Sequence, residues 1–228
     1  KDSLLNQFDY HHSALDIPEG TLHGFKVMGD TIQFKVDALT TTERATNFHI
    51  ESLHTFFRIS QKSLEFLNVD LKTPGSHIQD TIKFTYATQR DLGDFFNRVN
   101  IEANLANTIV SPAELALFAP GVERMQNKIR IDGKFTGRVN RFFGENTRIQ
   151  TGNTTIAGRV EMDGLPQINE TFINLRLAQS MIDINDLRFL FNDNLFLRLK
   201  PLARFHIRGN FTGFVNDFVA NASFDGPI

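Results

Sequence analysis

Apolar and polar residues alternate with a period of two along most of this chain. Ile32, Phe34, Val36 and Ala38 are interleaved with Gln33, Lys35 and Asp37. The alternation returns at Ile82, Phe84 and Tyr86, at Val99, Ile101, Ala103 and Leu105, and at Ile129, Ile131, Gly133 and Phe135. It recurs at Ile156, Gly158, Val160 and Met162, and at Phe205, Ile207, Gly209 and Phe211. Successive side chains of a strand point to opposite faces, so the pattern predicts half-buried antiparallel strands with one dry and one wet face. Strands covered on both faces would read as continuous apolar runs, and these do not.

Three short helices are predicted between the strands. Ser111, Pro112 and Glu114 stand as N-cap, first-turn proline and capping-box glutamate, followed by Leu115 and Phe118 on one face and Pro120 as a stop. A second helix is expected to begin at Asp183–Asp186 and to carry Leu187, Leu190 and Phe191. A third starts near Thr88 and carries Leu92, Phe95 and Phe96. Each is too short to stand alone, so all three are expected to dock as plugs over an edge or one end of the dry face. Turns are predicted where Gly and Pro collect, at Pro18-Glu19-Gly20, Pro74-Gly75, Gly152-Asn153 and Gly164-Leu165-Pro166.

The pattern also repeats at long range. Residues 131–142 (IDGKFTGRVNRF) return as 207–218 (IRGNFTGFVNDF), an offset of 76. Residues 101–115 match 173–187 at an offset of 72, and 69–84 match 147–162 at 78. Stacked repeats bury together what one unit cannot, and such arrays present a surface or a track more often than a single catalytic pocket. The expected organisation is one continuous β-repeat segment over residues 1–228, with units near 20–98, 99–170 and 171–228. A carbohydrate-active β-helix would repeat every ~20–25 residues, and the offsets argue against it.

Composition narrows the function classes. The 24 basic and 26 acidic side chains are interspersed and give a net charge of −2, without the basic footprint of a nucleic-acid binder. With no cysteine, disulfides and thiolate metal sites are excluded. No apolar run is long enough to span a bilayer. The chain opens on Lys1, which points to a piece of something longer, with membrane anchoring expected outside it. The 23 Phe, against 2 Tyr and no Trp, supply apolar area without polar tips. They suit either a packed sandwich core or an apolar surface touched by something greasy.

The search for chemistry is mostly negative. No nucleotide-binding glycine pattern, nucleophile elbow or zinc-protease helix occurs. Gly133 and Gly137 fall in a strand pattern and mark a bulge or a bend where the sheet curls. His11 and His12 are adjacent and would point apart on a strand, while His49, His77 and His206 take wet-face positions. Asp132, Glu161 and Asp163 could form a glycosidase-type acid pair only if neighbouring strands brought them together. At wet-face positions a solvated charge is the simpler reading. No catalytic, cofactor or metal residue is assigned.

Several stretches resemble the C-terminal half of TamB-type members of the AsmA-like family of bacterial envelope proteins, closest to their Bacteroidetes versions. The resemblance is carried by LKTPGSHIQDTIKF (71–84), RDLGDFFNRVNIEANL (90–105), SPAELALFAP (111–120), IDGKFTGRVN (131–140) and TTIAGRVEMDGLPQINETFINL (154–175). It implies a periplasmic protein held in the inner membrane elsewhere in its chain. It also implies an all-β fold, a long antiparallel sheet curled into an open groove that conducts phospholipid between the inner and outer membranes. The alternative it implies is a scaffold for assembly or secretion of outer-membrane proteins, with an outer-membrane barrel partner. Without the resemblance, a closed structural repeat module remains open. If the dry face is a conduit for phospholipid acyl chains, its lining is Ile32, Phe34, Val36, Ile82, Phe84, Ile101, Ile131, Phe135, Ile156, Val160, Ile207 and Phe211.

Overall fold

A computed structural model describes residues 14–118, 122–165 and 167–226. Its strands are β1 (Leu15–Met28), β2 (Thr31–Glu43), β3 (His49–Ile50), β4 (Ser52–Ile59), β5 (Ser63–Lys72), β6 (His77–Thr85) and β7 (Asn100–Val110). They continue as β8 (Ile129–Arg138), β9 (Arg141–Thr151), β10 (Thr154–Asp163), β11 (Phe172–Asp183), β12 (Arg204–Phe214) and β13 (Asp217–Asp225). All belong to one antiparallel sheet in sequence order, with β3 a short side branch on β2. Among the described residues β1 pairs only with β2 and β13 only with β12, so the sheet is open and does not close into a barrel.

A line of irregularities crosses the sheet at mid-strand. Register shifts fall at Phe66/Val69, Leu105/Thr108, Asp132/Lys134, Gly158/Val160 and Leu177/Ser180. The extra residue takes a left-handed conformation at Asn68 (φ 53°), Asn107 (φ 52°) and Asn146 (φ 50°), each 39 residues after the last. Asparagine tolerates this region because its short polar side chain can bond locally. Gly133 (φ 135°) and Gly209 (φ 148°) lie on the same line. A Cβ at Gly133 would come within 2.9 Å of Thr147 Cα, and one at Gly209 within 2.3 Å of Asn221 O, so only glycine fits. Each bulge bends its strand and strengthens the local twist.

A buried hydroxyl sits at several of these bulges. Thr55 Oγ1 donates to Leu67 O (3.0 Å), and Thr147 Oγ1 to Gly158 O (2.8 Å). Thr108 Oγ1 accepts from Gln79 N (3.1 Å), and Ser180 Oγ accepts from Ala157 N (3.0 Å). All four residues are at most 3 % exposed. The hydroxyls bond backbone groups that the interrupted ladder leaves unpaired, the condition for burying them at all.

The connections partly depart from expectation. Gln89–Asp94 forms a 3₁₀ turn leading into α1 (Phe95–Arg98), with the capping box of Thr88 and Asp91 in place. α2 (Pro112–Leu115) forms where predicted, but Ser111 caps nothing with its side chain. Glu114 reaches instead to the β5–β6 turn, accepting from Gly75 N (2.8 Å), Thr73 Oγ1 (2.6 Å) and Ser76 Oγ. The stop at Pro120 lies outside the described residues, as do Pro166 and the His11-His12 pair.

The helix expected from Asp183 is absent. Asp183 ends β11, and its carboxylate accepts from Asn185 N (3.0 Å) and Arg204 Nη2 (3.2 Å). Asp186 turns back to the β9–β10 hairpin, accepting from Asn153 N (2.7 Å) and Thr154 N (2.9 Å). Drawn away in this manner, neither carboxylate caps a helix. Residues 188–190 make one 3₁₀ turn, and α3 (Asp193–Leu199) starts later, where Asn192 Oδ1 accepts from Leu195 N (2.9 Å). Pro18-Glu19-Gly20 is no turn either: it lies within β1 at a register shift against β2. The turns at Pro74-Gly75 and Gly152-Asn153 join consecutive strands as predicted.

Candidate functional site

Cross-strand pairing decides which side chains share a face, because residues directly opposite in an antiparallel pair project the same way. One row runs Phe34, Phe57, Phe66, Ile82, Ala103, Phe135, Gly144, Val160, Leu175, Phe211. Beside it runs Ile32, Ile59, Leu64, Phe84, Ile101, Gly137, Phe142, Met162, Ile173. A third row on the same face holds Ile131, Ile149 and Ile156, and Ile207 follows from its alternation with Phe211 on β12. Val36 alternates with Phe34 on β2. The pairings thus place all twelve residues read as the dry-face lining on one side of the sheet.

Sequence reasoning missed a large share of that side. Phe57, Phe66 and Phe142 belong to it, and the rings of Phe25, Phe34, Phe57, Phe66, Phe84 and Phe95 form a continuous ladder with centroids 4.8–6.3 Å apart. Leu64 and Phe66 did alternate in the sequence. Phe56-Phe57 did not reveal its phase, since adjacent rings must face opposite ways and either could be inside.

The face is apolar without being sealed. Of the twelve residues only Val36 (4 % exposed) and Val160 (2 %) are buried, whereas Ile32 reaches 36 % and the others are half-buried. Among the described residues the buried apolar cluster is Ile182, Ile184 and Phe205, packed by Ile156, Ile207, Leu187, Phe196 and Leu199. The opposite face carries the charges, with Phe56 and Phe143 there each covered by an arginine, Arg58 and Arg159. Glu65 on β5 pairs with Arg58 on β4 (3.2 Å) and with Lys83 on β6 (3.7 Å).

Chain geometry makes the dry face concave. A straight β12 would span about 33 Å. The path from Asn192 back to Ala203, seven α-helical and three 3₁₀ residues, covers about 16 Å. Yet Asn192 Nδ2 donates to Asn216 Oδ1 (3.3 Å) just past one end of β12, while Ile184 N donates to Ala203 O (3.0 Å) at the other. Side chains cannot close that gap, so β12 bends, and Gly209 lies at the middle of it. Phe196 and Leu199 of the bridging segment pack against the cluster of Ile182, Ile184 and Phe205, as Ile207 does from β12, which fixes the bend toward the dry face. The result is a trough, with the segment 184–203 strapped across it.

The candidate acids do not assemble. Glu161 and Asp163 share β10 and line a shallow polar depression of about 570 Å³ with Asn140, Arg141 and Phe143. Asp132 lies two strands away on β8, where it accepts from Asn107 N (2.6 Å). Asp163 faces Arg141 (3.5 Å). His77 Nε2 meets Asp70 (2.6 Å) and His49 Nδ1 meets Thr42 Oγ1 (2.8 Å), pairs within the sheet surface.

The carboxyl groups with shifted ionisation serve the scaffold. Hydrogen bonds from Thr46 and Ala45 hold Glu43 down at about 2. Burial opposes ionisation of Asp183, but the donors of Asn185 and Arg204 outweigh it and keep its carboxyl below the usual range. Among the described residues no three His, Asp or Glu side chains converge as metal ligands, and no helix is long and apolar enough to cross a membrane. Comparison with family models, curated proteins and solved structures finds no match for this chain.

Proposed function

We propose that this chain is a segment of a periplasmic lipid conduit, whose trough shields phospholipid acyl chains passing between the inner and outer membranes. One observation carries the reading: an apolar face crosses the paired strands from β2 to β12, and ten of its twelve predicted residues keep partial exposure. A face of that kind is costly in water unless something apolar visits it. Phe, Ile and Val without polar tips suit acyl chains, and a conduit needs no convergent chemical site. The TamB-like sequence pattern points the same way, with the anchor in the inner membrane outside this segment. A second reading, scaffolding of outer-membrane β-barrel proteins, draws on the exposed edge strands β1 and β13, whose outer edges pair with no strand among the described residues.

The test is extraction and mass spectrometry of lipid from protein purified out of an envelope, alongside Phe135→Asp and Phe211→Asp. In a sealed core each change would remove about 3–5 kcal/mol of packing and bury a charge, and the protein would unfold. At an open trough wall the carboxylate keeps water. The expected result is soluble, β-rich variants that no longer retain phospholipid. Folded variants with undiminished lipid, or a wild-type protein free of lipid, would overturn the reading.

A further inference from the structure

We propose that the dry-face patch beneath α3, formed by Ile156, Ile182, Phe205 and Ile207, is a binding site for one acyl chain. In the lipid-free protein α3 occupies it, and the strap 184–203 swings aside to admit the chain. The inference rests on the conduit reading and adds to it a located site and a gate.

What α3 gives the patch is purely apolar. Phe196 and Leu199, with Leu187, cover it the way a hydrocarbon chain would, and they offer it no polar group. The strap is weakly held over it. No residue of α3 is buried, and Leu197 (64 % exposed) and Leu202 (43 %) face solvent. At the far rim the tether is the amide pair of Asn192 and Asn216. The polar contacts of Arg188 stay inside the strap, to Phe191 O (2.7 Å) and to Asp193, with its guanidinium stacked on Phe196 (4.6 Å). Segments with few buried contacts are those that open below the global unfolding threshold.

The near rim, by contrast, is firmly built. Asp186 clasps the β9–β10 turn, and Asp183 bonds both Asn185 and Arg204, so both legs of the strap stay anchored while its middle moves. Ala203, the last residue of the strap before β12, sits at φ 48°, ψ −97°, a backbone state that a residue with a Cβ avoids. Strain of this kind persists only where the surroundings enforce it, and it concentrates at ligand clamps and switch regions. Lifting α3 would relax it, so the closed state is poised.

The chain's lack of cysteine makes a staple clean. Asn192→Cys with Asn216→Cys, oxidised, is expected to slow association of the fluorescent fatty acid cis-parinaric acid at least tenfold, with reduction restoring it. Phe196→Ser with Leu199→Ser is expected to bind the same probe at least tenfold more tightly. In the unaltered protein, hydrogen exchange at residues 193–199 is expected to run at least a hundredfold faster than in β11 and β12. Binding by the unaltered protein that neither the staple nor the serine pair changes would overturn the gate and leave the conduit reading standing. No binding by any form would overturn that reading and the acyl site together. Exchange in α3 as slow as in β12 overturns the displaceable strap whatever the probe does, including where the serine pair fails to fold.

Discussion

Glu114 and Asp186 occupy equivalent places in the repeat, 72 residues apart, and do the same work. Each reaches from the far side of a strand to clasp a hairpin, Thr73–Ser76 or Thr151–Thr154, through backbone N–H and hydroxyl donors. Hydrogen bonds to a charged group contribute about 1.5–3 kcal/mol, so Glu114→Ala and Asp186→Ala should each lower stability by that order in urea unfolding. Thr108 and Ser180 form a second equivalent pair, also 72 apart, at matching bulges. Thr108→Val keeps the shape and strands Gln79 N–H, and about 1–3 kcal/mol should be lost. Glu43 sets a pH limit. Its folded value of about 2 lies below its ordinary 4.5, so its contribution is full above the ordinary value and drains away as pH falls toward 2. Glu43→Gln should therefore flatten the decline in urea midpoint between pH 5 and pH 3.

Strands were legible where alternation ran unbroken, as in β2, β8, β10 and β12, because period two needs no tertiary information. β4 was hidden by its Phe56-Phe57 step and β1 by Pro18 and Gly20, which punctuate most chains as turns. The helices near Thr88 and at Pro112 formed as read, but two capping signals were diverted, for a different reason. Ser111…Glu114 and Asp183…Asp186 have capping chemistry, but the same carboxylates can satisfy distant backbone donors, and a buried hairpin turn outcompetes a solvated helix end. The bulge line was half visible. Gly133 announced a bend, whereas the asparagines at 39-residue spacing went unread. Gly133→Ala and Gly209→Ala should each destabilise by about 1–3 kcal/mol through forced positive φ, and their thermal midpoints should fall accordingly.

Taken whole, the described residues form a sheet with two outer edges, of which β1 carries Pro18 and Lys26 and β13 carries neither guard. All of β1 is exposed, and β13 presents Val219 (75 % exposed) and Phe224 (60 %) beside an unpaired backbone edge. Natural edges carry lysine or proline to discourage strand addition, and β13 carries neither. This chain should accordingly self-associate as its concentration rises, and Val219→Lys should shift sedimentation velocity profiles toward monomer. An unchanged profile would mean that the twist of β13 already protects it.

The sequence by itself determined the all-β class, the antiparallel character of the strands and a shared face for twelve apolar residues, because each follows from local alternation; it left Phe57, Phe66 and Phe142 unplaced. The curl was expected from the resemblance and from Gly133 and Gly137, but tertiary structure alone decided how it is made and where the face is covered. Concavity depends on bulges lining up across neighbouring strands, and no single strand contains that alignment. The cover depends on where Asn192 finds Asn216 and where Phe196 finds Phe205, contacts between positions whose separation no periodicity encodes.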